Sequence, residues 1–176
     1  MLPRLLVAAD ANVDRAQTKL DAIQAGRIKP GYGVTFTEAE VNAWAVEHTV
    51  HRFEGVRDSR VRLGAGTVTA SALVDFLRVR QAEGLETNGA IAKLLEGERP
   101  VRVELRIQSN AGRATVTPVR VEISGVAVPE TLVDFLVMRF VVPFFPEANV
   151  GQPFELKERI ERVEVRPGAL RVIMKR

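Results

Sequence analysis

Residues 101–110 read Val101-Arg102-Val103-Glu104-Leu105-Arg106-Ile107-Gln108-Ser109-Asn110. The chain returns as Ala111-Gly112-Arg113-Ala114-Thr115-Val116-Thr117-Pro118-Val119-Arg120-Val121-Glu122-Ile123. Val101, Val103, Leu105 and Ile107 alternate with polar residues, the period of a half-buried strand. Asn110-Ala111-Gly112 tolerates the positive φ that a tight hairpin demands. Ala114 and Val116 continue in phase, but after Pro118 the apolar set is Val119, Val121 and Ile123, with opposite parity. A bulge at Pro118 restores the facing and bends the strand. The stretch predicts a long antiparallel ribbon in a curved sheet.

Two further ribbons flank it. From Arg60, Val61, Leu63 and Ala65 alternate with Arg60, Arg62 and Gly64, and the alternation resumes through Val68, Ala70, Ala72, Val74 and Phe76. Gly64-Ala65-Gly66 reads as a bulge or a hairpin turn. Strand is expected to about Phe76, then a loop, then a short helix around Ala90 to Leu95. The last ribbon carries Val163 and Val165, a turn at Arg166-Pro167-Gly168, then Leu170, Val172 and Met174.

Helical periods appear in three places. Leu5, Ala9, Val13, Ala16, Leu20 and Ile23 mark an amphipathic helix over 5–25, ended by Gly26 and the turn at Pro30-Gly31. Thr37 with Glu40 makes a capping box, Phe36 can staple onto Val41, and the helix runs to about Thr49. Its narrow face holds Val41, Trp44, Ala45 and His48. Pro129 and Glu130 open a third helix over 130–142, apolar nearly all round, which implies burial on several sides. Pro143 and Pro146 stop it.

The length of 176 residues suits one domain. The absence of cysteine excludes disulfides, thiolate metal sites and Cys nucleophiles. The formal net charge is only +3, and the basic residues are spread along the chain rather than blocked, which argues against nucleic-acid binding. No apolar run reaches the ~20 residues that span a bilayer. The N-terminal run from Leu2 to Ala9 is too short for a signal peptide. It reads as the first turns of a helix, or as the stub of a removed signal or anchor.

Catalytic constellations are hard to assemble. His48 and His51 stand three apart in Glu47-His48-Thr49-Val50-His51, the wrong order for a zinc protease, with no third or fourth ligand in view. Ser59, Ser71, Ser109 and Ser124 lie outside any nucleophile elbow, and Ser124-Gly125 reads as a turn. Gly64-Ala65-Gly66 precedes a strand and not the helix that a phosphate cradle needs. Glu122, Glu161 and Glu164 alternate with arginine and read as solvated cross-strand ion pairs. Leu73-Val74-Asp75-Phe76-Leu77 recurs as Leu132-Val133-Asp134-Phe135-Leu136, but the likeness stops there and reads as chance. No catalytic residue, metal or cofactor is expected.

The apolar residues are more telling. Phe135, Phe140, Phe144, Phe145 and Phe154 are dense for a chain with 6% aromatics. Phe144-Phe145 between two prolines closes a core or forms an exposed apolar tip. Arg139, a charge on an apolar helix, pairs with a strand acid or anchors an anionic headgroup at a groove's mouth.

The order of elements resembles a known plan. A capped helix at Thr37-Glu38-Ala39-Glu40-Val41-Asn42 leads into a ribbon. A second ribbon ends in Val121-Glu122-Ile123-Ser124-Gly125-Val126-Ala127-Val128-Pro129, then an apolar helix and a ribbon with Pro-Gly at its turn follow. Over about 35–175 this resembles one lobe of the small bacterial envelope proteins related to the tubular lipid-binding (BPI-like, TULIP) superfamily. The resemblance implies an α+β fold, a curved antiparallel sheet wrapped around the apolar helix, with N-terminal helices packed on it. It also implies an apolar groove that takes acyl chains, a place in the cell envelope or periplasm, and no catalytic residues. The expected division is an N-terminal helix and linker, 1–34, and one α+β domain, 35–176. The ligand site is expected at Trp44, Leu132, Phe135, Leu136, Phe140 and Phe144 with Arg139 at the rim. A lipid or other apolar small molecule, with contact to a membrane surface and not to nucleic acid, is the expected partner. The alternatives are a structural or protein-interaction domain with a closed core, and a cytoplasmic location.

Overall fold

A computed structural model describes residues 4–50, 55–77, 93, 96–130, 132–134, 138, 150–157 and 159–176. Helix α1, Arg4–Gln24, ends in a Schellman motif, with Gly26 at φ 65°, its N–H on Ile23 O and the Arg27 N–H on Ala22 O. Strand β1, Gly33–Thr37, runs into helix α2, Glu38–Val50. The strands β2, Val56–Leu63, and β3, Thr67–Asp75, form the first hairpin. The long ribbon is β4, Glu98–Asn110, and β5, Arg113–Ile123, followed by the two-residue β6, Val126–Ala127. After β7, Phe154–Glu155, the chain closes with β8, Ile160–Arg166, and β9, Ala169–Met174. Glu130, residues 132–134 and Met138 are helical.

The class is α+β with antiparallel sheets, as expected, and the ribbons form two sheets. The larger has the order β2-β3-β4-β5-β6, with β7 on β5, and its end strands do not meet to close a barrel. The smaller has the order β1-β9-β8. Strand β1 was not legible from the sequence, because Val34 and Phe36 alone are too few to establish a period. Gly64-Ala65-Gly66 is a hairpin turn and not a bulge, since Leu63 pairs with Val68 and Gly64 N–H donates to Thr67 O at 2.8 Å. The next turn has positive φ at Ala111 and Gly112, the type I′ pattern. Strand β3 stops at Asp75, where Phe76 and Leu77 turn helical. Of the short helix expected over 90–95, Lys93 is helical and the rest lies outside the described residues.

The inferred bulge on β5 is present, one residue beyond Pro118. Glu104 pairs with Arg120 and Leu105 with Pro118, so Val119 is the extra residue and stands exposed. Ala114 and Val116 before it, and Val121 and Ile123 after it, are all buried. A second bulge sits on the edge strand β2. Arg57 pairs with Leu73 but Arg60 with Ser71, and Asp58 takes φ 53°. It brings Val56 and Leu63, of opposite parity, to the same buried face.

Helix α2 covers the open edge of β2. Val61 N–H donates to Asn42 Oδ1 at 2.7 Å, and Leu63 N–H donates to Glu38 Oε2 at 2.9 Å. Two side chains one helical turn apart thus satisfy two outward N–H groups of the strand. The capping box forms as expected. Thr37 Oγ1 accepts from Glu40 N–H at 3.2 Å, and Glu40 Oε2 accepts from Thr37 N–H at 2.9 Å. Glu40 is itself buried, and α1 holds it with Lys19 Nζ at 2.6 Å and Arg15 Nε at 3.5 Å. Lys19 Nζ also donates to Thr35 O on the outer edge of β1 at 2.8 Å.

The two sheets meet where β4 outruns β3. Strand β3 begins opposite Arg106, so the β4 flank beyond it lies open. There Ser109 Oγ accepts from Val163 N–H at 2.7 Å and donates to Val163 O at 2.7 Å. One hydroxyl does the work of a backbone amide. The hairpin tips add Gly66 N–H to Val165 O at 2.9 Å and Gly112 N–H to Glu161 O at 2.7 Å.

Two predictions follow from these contacts. Ser109→Ala leaves both polar groups of Val163 without that partner and is expected to cost about 1–3 kcal/mol in a denaturant melt, with Thr retaining most of the stability. Burial pushes the Glu40 carboxyl up, but the Lys19 hydrogen bond, the Thr37 N–H and the charges of Lys19 and Arg15 outweigh it and hold it below its ordinary value. Its stabilisation is therefore present above the unfolded carboxyl's pKa and lost as pH falls through the lower, folded one. Glu40→Gln is expected to be less stable than the parent at neutral pH and to lose part of the acid-side decline, read from thermal midpoints across the acid range.

Candidate functional site

Alternation along β2 to β5 puts one set of side chains beneath the six-stranded sheet. At the end where β2, β3 and β4 meet, Val56, Val74, Phe76, Val101, Val121 and Ile123 pack into one cluster with Leu132. Ile123 and Phe76 retain 0% and 1% of their surface. Each such side chain contributes roughly 1.5–3 kcal/mol by leaving water. After β6 the chain crosses this face. Val128 N–H donates to Val121 O at 3.1 Å, and Leu132 and Val133 N–H both donate to Pro129 O. Pro129, with no N–H of its own, opens the helical turn that seats Leu132 on the cluster. Leu77, next to Phe76, and Val126, paired with Ile123, border it and are exposed at 49% and 55%, and the helical Met138 is exposed at 65%.

Trp44 belongs elsewhere. It packs at the edge of a second cluster built by Ala16 and Ile23 of α1, Phe36 of β1 and Val172 and Met174 of β9. Its Nε1–H donates to Gln17 Oε1 at 3.3 Å, and its ring stacks on His48 with centroids 3.9 Å apart. The structure therefore places Trp44 and Leu132 in different clusters. Phe135, Leu136, Arg139, Phe140 and Phe144 lie outside the described residues. The signal for Leu77, Val126 and Met138 was absent from the sequence, since an apolar residue beside a turn carries no mark of exposure.

Several of the polar candidates have structural employment. His48 Nδ1 sits 2.7 Å from Trp44 O and so carries the proton there as a donor. Ser109 joins the sheets, and Ser124 and Gly125, with φ 51° and 77°, form the turn expected of them. Ser59 Oγ is buried without a partner beside the β2 bulge. Glu122 and Glu164 do pair with arginine, but along their own strands and not across them. Arg120 Nε lies 2.6 Å from Glu122, and Arg162 and Arg166 lie 2.9 and 2.6 Å from Glu164. The Arg162 hydrogen bond, against partial burial, keeps Glu164 below its ordinary pKa, and Arg57 does the same for Glu98. Carboxylates held ionised in this way are counter-ions and poor proton donors at neutral pH. Among the described residues no group of three or more His, Cys, Asp or Glu converges as metal ligands would.

The opposite face of the six-stranded sheet is polar. A recess of about 350 Å³ there is lined by Asp58, Ser71, Leu73, Pro100, Arg102 and Glu122 among others. Charge that the sequence spreads along the chain is gathered on this face by register. Arg60, Ser71, Arg102 and Glu122 form one cross-strand row, and Arg62, Thr69, Glu104 and Arg120 the next.

Set against known proteins, the chain matches no family model and no curated protein.

The separation of the clusters is testable. Leu132→Ala is expected to cost about 2–5 kcal/mol. Combined with Ile23→Ala from the second cluster, the losses are expected to add within about 0.5 kcal/mol in urea melts, because distant sites couple weakly.

Proposed function

We propose that this domain binds a lipid or another apolar ligand, without catalysis, between the helix expected over 130–142 and the inner face of the six-stranded sheet. The carrying observation is the geometry around Leu132. That residue is buried in one cluster with Val56, Val74, Phe76, Val101, Val121 and Ile123. Leu77, next to Phe76, and Val126, paired with Ile123, stand exposed at the border of the same cluster. Exposed apolar side chains at the border of an apolar cluster offer a place where a chain-like ligand gains area. Such burial is worth about 25 cal/mol per Å², so one acyl chain gives useful affinity.

Leu132 forms the floor of the proposed site. Phe135, Leu136, Phe140 and Phe144 are the residues proposed to touch the ligand's chain, and Arg139 the one proposed to touch its headgroup. Trp44, in the other cluster, contributes through the packing of α2. The order of elements resembling one lobe of the tubular lipid-binding superfamily supports this reading, as it supports a place in the cell envelope.

A second reading has its own observation. Ile123 and Phe76 have essentially no free surface, which suits a closed core in a structural or protein-interaction domain. Native mass spectrometry of protein from its own host, with uptake of a fluorescent fatty acid, separates the two. Co-purified lipid and saturable uptake are expected. Substituting Leu77, Val126 and Met138 together by Glu is expected to weaken uptake at least tenfold with little change in thermal midpoint, as these side chains are exposed. An absence of both lipid and uptake gives the closed-core reading.

A further inference from the structure

The polar face of the six-stranded sheet is an arginine surface with no assigned role. Every basic residue on β2, β3, β4 and β5 is arginine. Arg60 and Arg62 on β2, Arg102 and Arg106 on β4, and Arg113 on β5 point outward by alternation and are exposed. None of the five makes an ion pair among the described residues. Two neighbouring arginines are neutralised, Arg57 by Glu98 and Asp58 at 2.6 and 2.8 Å, and Arg120 by Glu122 at 2.6 Å. Two acids stand among the five, Glu104 on β4 and Glu155, which β7 pairs directly with Arg113. Around Arg60, Arg62, Arg102 and Arg106, where Glu104 is the unpaired acid in the same rows, positive charge therefore exceeds negative.

The spacing is two-dimensional. Arg60 and Arg102 are each paired to Ser71, so they stand two strands apart, about 10 Å. Arg60 and Arg62 are alternate residues of one strand, about 7 Å apart. A nucleic-acid strand presents its phosphates along a line, and single-stranded binding adds aromatic platforms for the bases. These four strands carry no Phe, Tyr or Trp. They place Val119, 45% exposed, beside the arginine field at the bulge. A planar field of phosphates with apolar groups just beneath it suits both features. Guanidinium groups bind phosphate oxygens in pairs, which an ammonium cannot do.

We infer that the outer face of the β2–β5 sheet docks on a bilayer surface rich in anionic phosphate headgroups, through Arg60, Arg62, Arg102 and Arg106. This face is the reverse of the one that carries Leu132, so the inference stands whether or not the apolar site takes a ligand.

Co-sedimentation of the full chain with vesicles tests it. The protein is expected to pellet with vesicles of phosphatidylcholine and phosphatidylglycerol in equal parts and not with phosphatidylcholine alone. Rising salt is expected to release it, because exposed charges are screened. Each arginine near an anionic surface strengthens binding about fivefold. Replacing Arg60, Arg62, Arg102 and Arg106 by Gln is therefore expected to weaken binding by at least a hundredfold, with thermal midpoint and fatty-acid uptake unchanged. Lysine at the same positions is expected to keep most of the binding. Equal binding of the Gln variant and the parent overturns the inference. So does parent protein that binds phosphatidylcholine alone as well as the mixture, or that binds a duplex or single-stranded oligonucleotide more tightly than the mixed vesicles. Salt-insensitive binding by the parent overturns it without recourse to any variant.

Discussion

A sheet that does not close into a barrel exposes backbone N–H and C=O groups along its edges, and each must find a partner or water. Among the described residues, three of these flanks are met by side chains. Asn42 and Glu38 reach from α2 to the amides of Val61 and Leu63. Lys19 reaches from α1 to the carbonyl of Thr35. Ser109 reaches from β4 to both polar groups of Val163. These bonds also fix the architecture. The first ties α2 to the large sheet, the second ties α1 to the small one, and the third joins the two sheets. Glu40 then links the helices, because its carboxylate caps α2 while it binds Lys19 and Arg15 of α1. A net contribution of about 1 kcal/mol per hydrogen bond understates them, since an unpartnered buried amide is costlier still.

What the sequence makes legible is what depends on neighbours along the chain. Period two in 101–123 announces the ribbon, and the parity change at Pro118 announces the bulge. The capping box at Thr37 and Glu40 and the glycine end of α1 are set by residues three or four apart. All of these appear, the bulge one residue beyond Pro118. Strand β1 escapes because it has only Val34 and Phe36 to show on its inner side, and its last residue doubles as the helix cap. The edge contacts escape because Asn42 and Val61 are nineteen residues apart, and nothing local marks an asparagine as a backbone partner. The ion pairs of Glu122 and Glu164 were expected across strands. They form along strands because arginine two residues away on the same face is within reach of its own neighbour.

The candidate site was less legible than the fold. Trp44 and Leu132 each sit on an apolar face, and apolarity alone does not say which core a residue joins. Trp44 follows α2 onto the small sheet, whereas Leu132 follows the β6 crossover onto the large one. The arginine surface was hidden for the opposite reason. Counted along the chain the basic residues look dispersed, because Arg60 and Arg102 are forty-two positions apart. Register sets them two strands apart on one face. Charge clustering in a β-protein is a property of pairing, and linear spacing underreports it.

One extra residue on β5 controls both faces of this sheet. With Val116 facing the core, a regular ladder past Pro118 would turn Val121 and Ile123 outward. Arg120 and Glu122 would then lie under Leu132, an ion pair buried in the apolar cluster at several kcal/mol per charge. The arginine face would lose the neutralising pair that now sits beside Val119, and the floor of the proposed ligand site would lose Val121 and Ile123 from its apolar cluster. Val119 absorbs the phase shift at the bulge, where its exposed side chain removes nothing from the core. The apolar site and the charged surface are therefore two consequences of one alternation, kept in phase by one inserted residue. Because they occupy opposite sides of the same strands, substitutions confined to one side leave the contacts of the other in place.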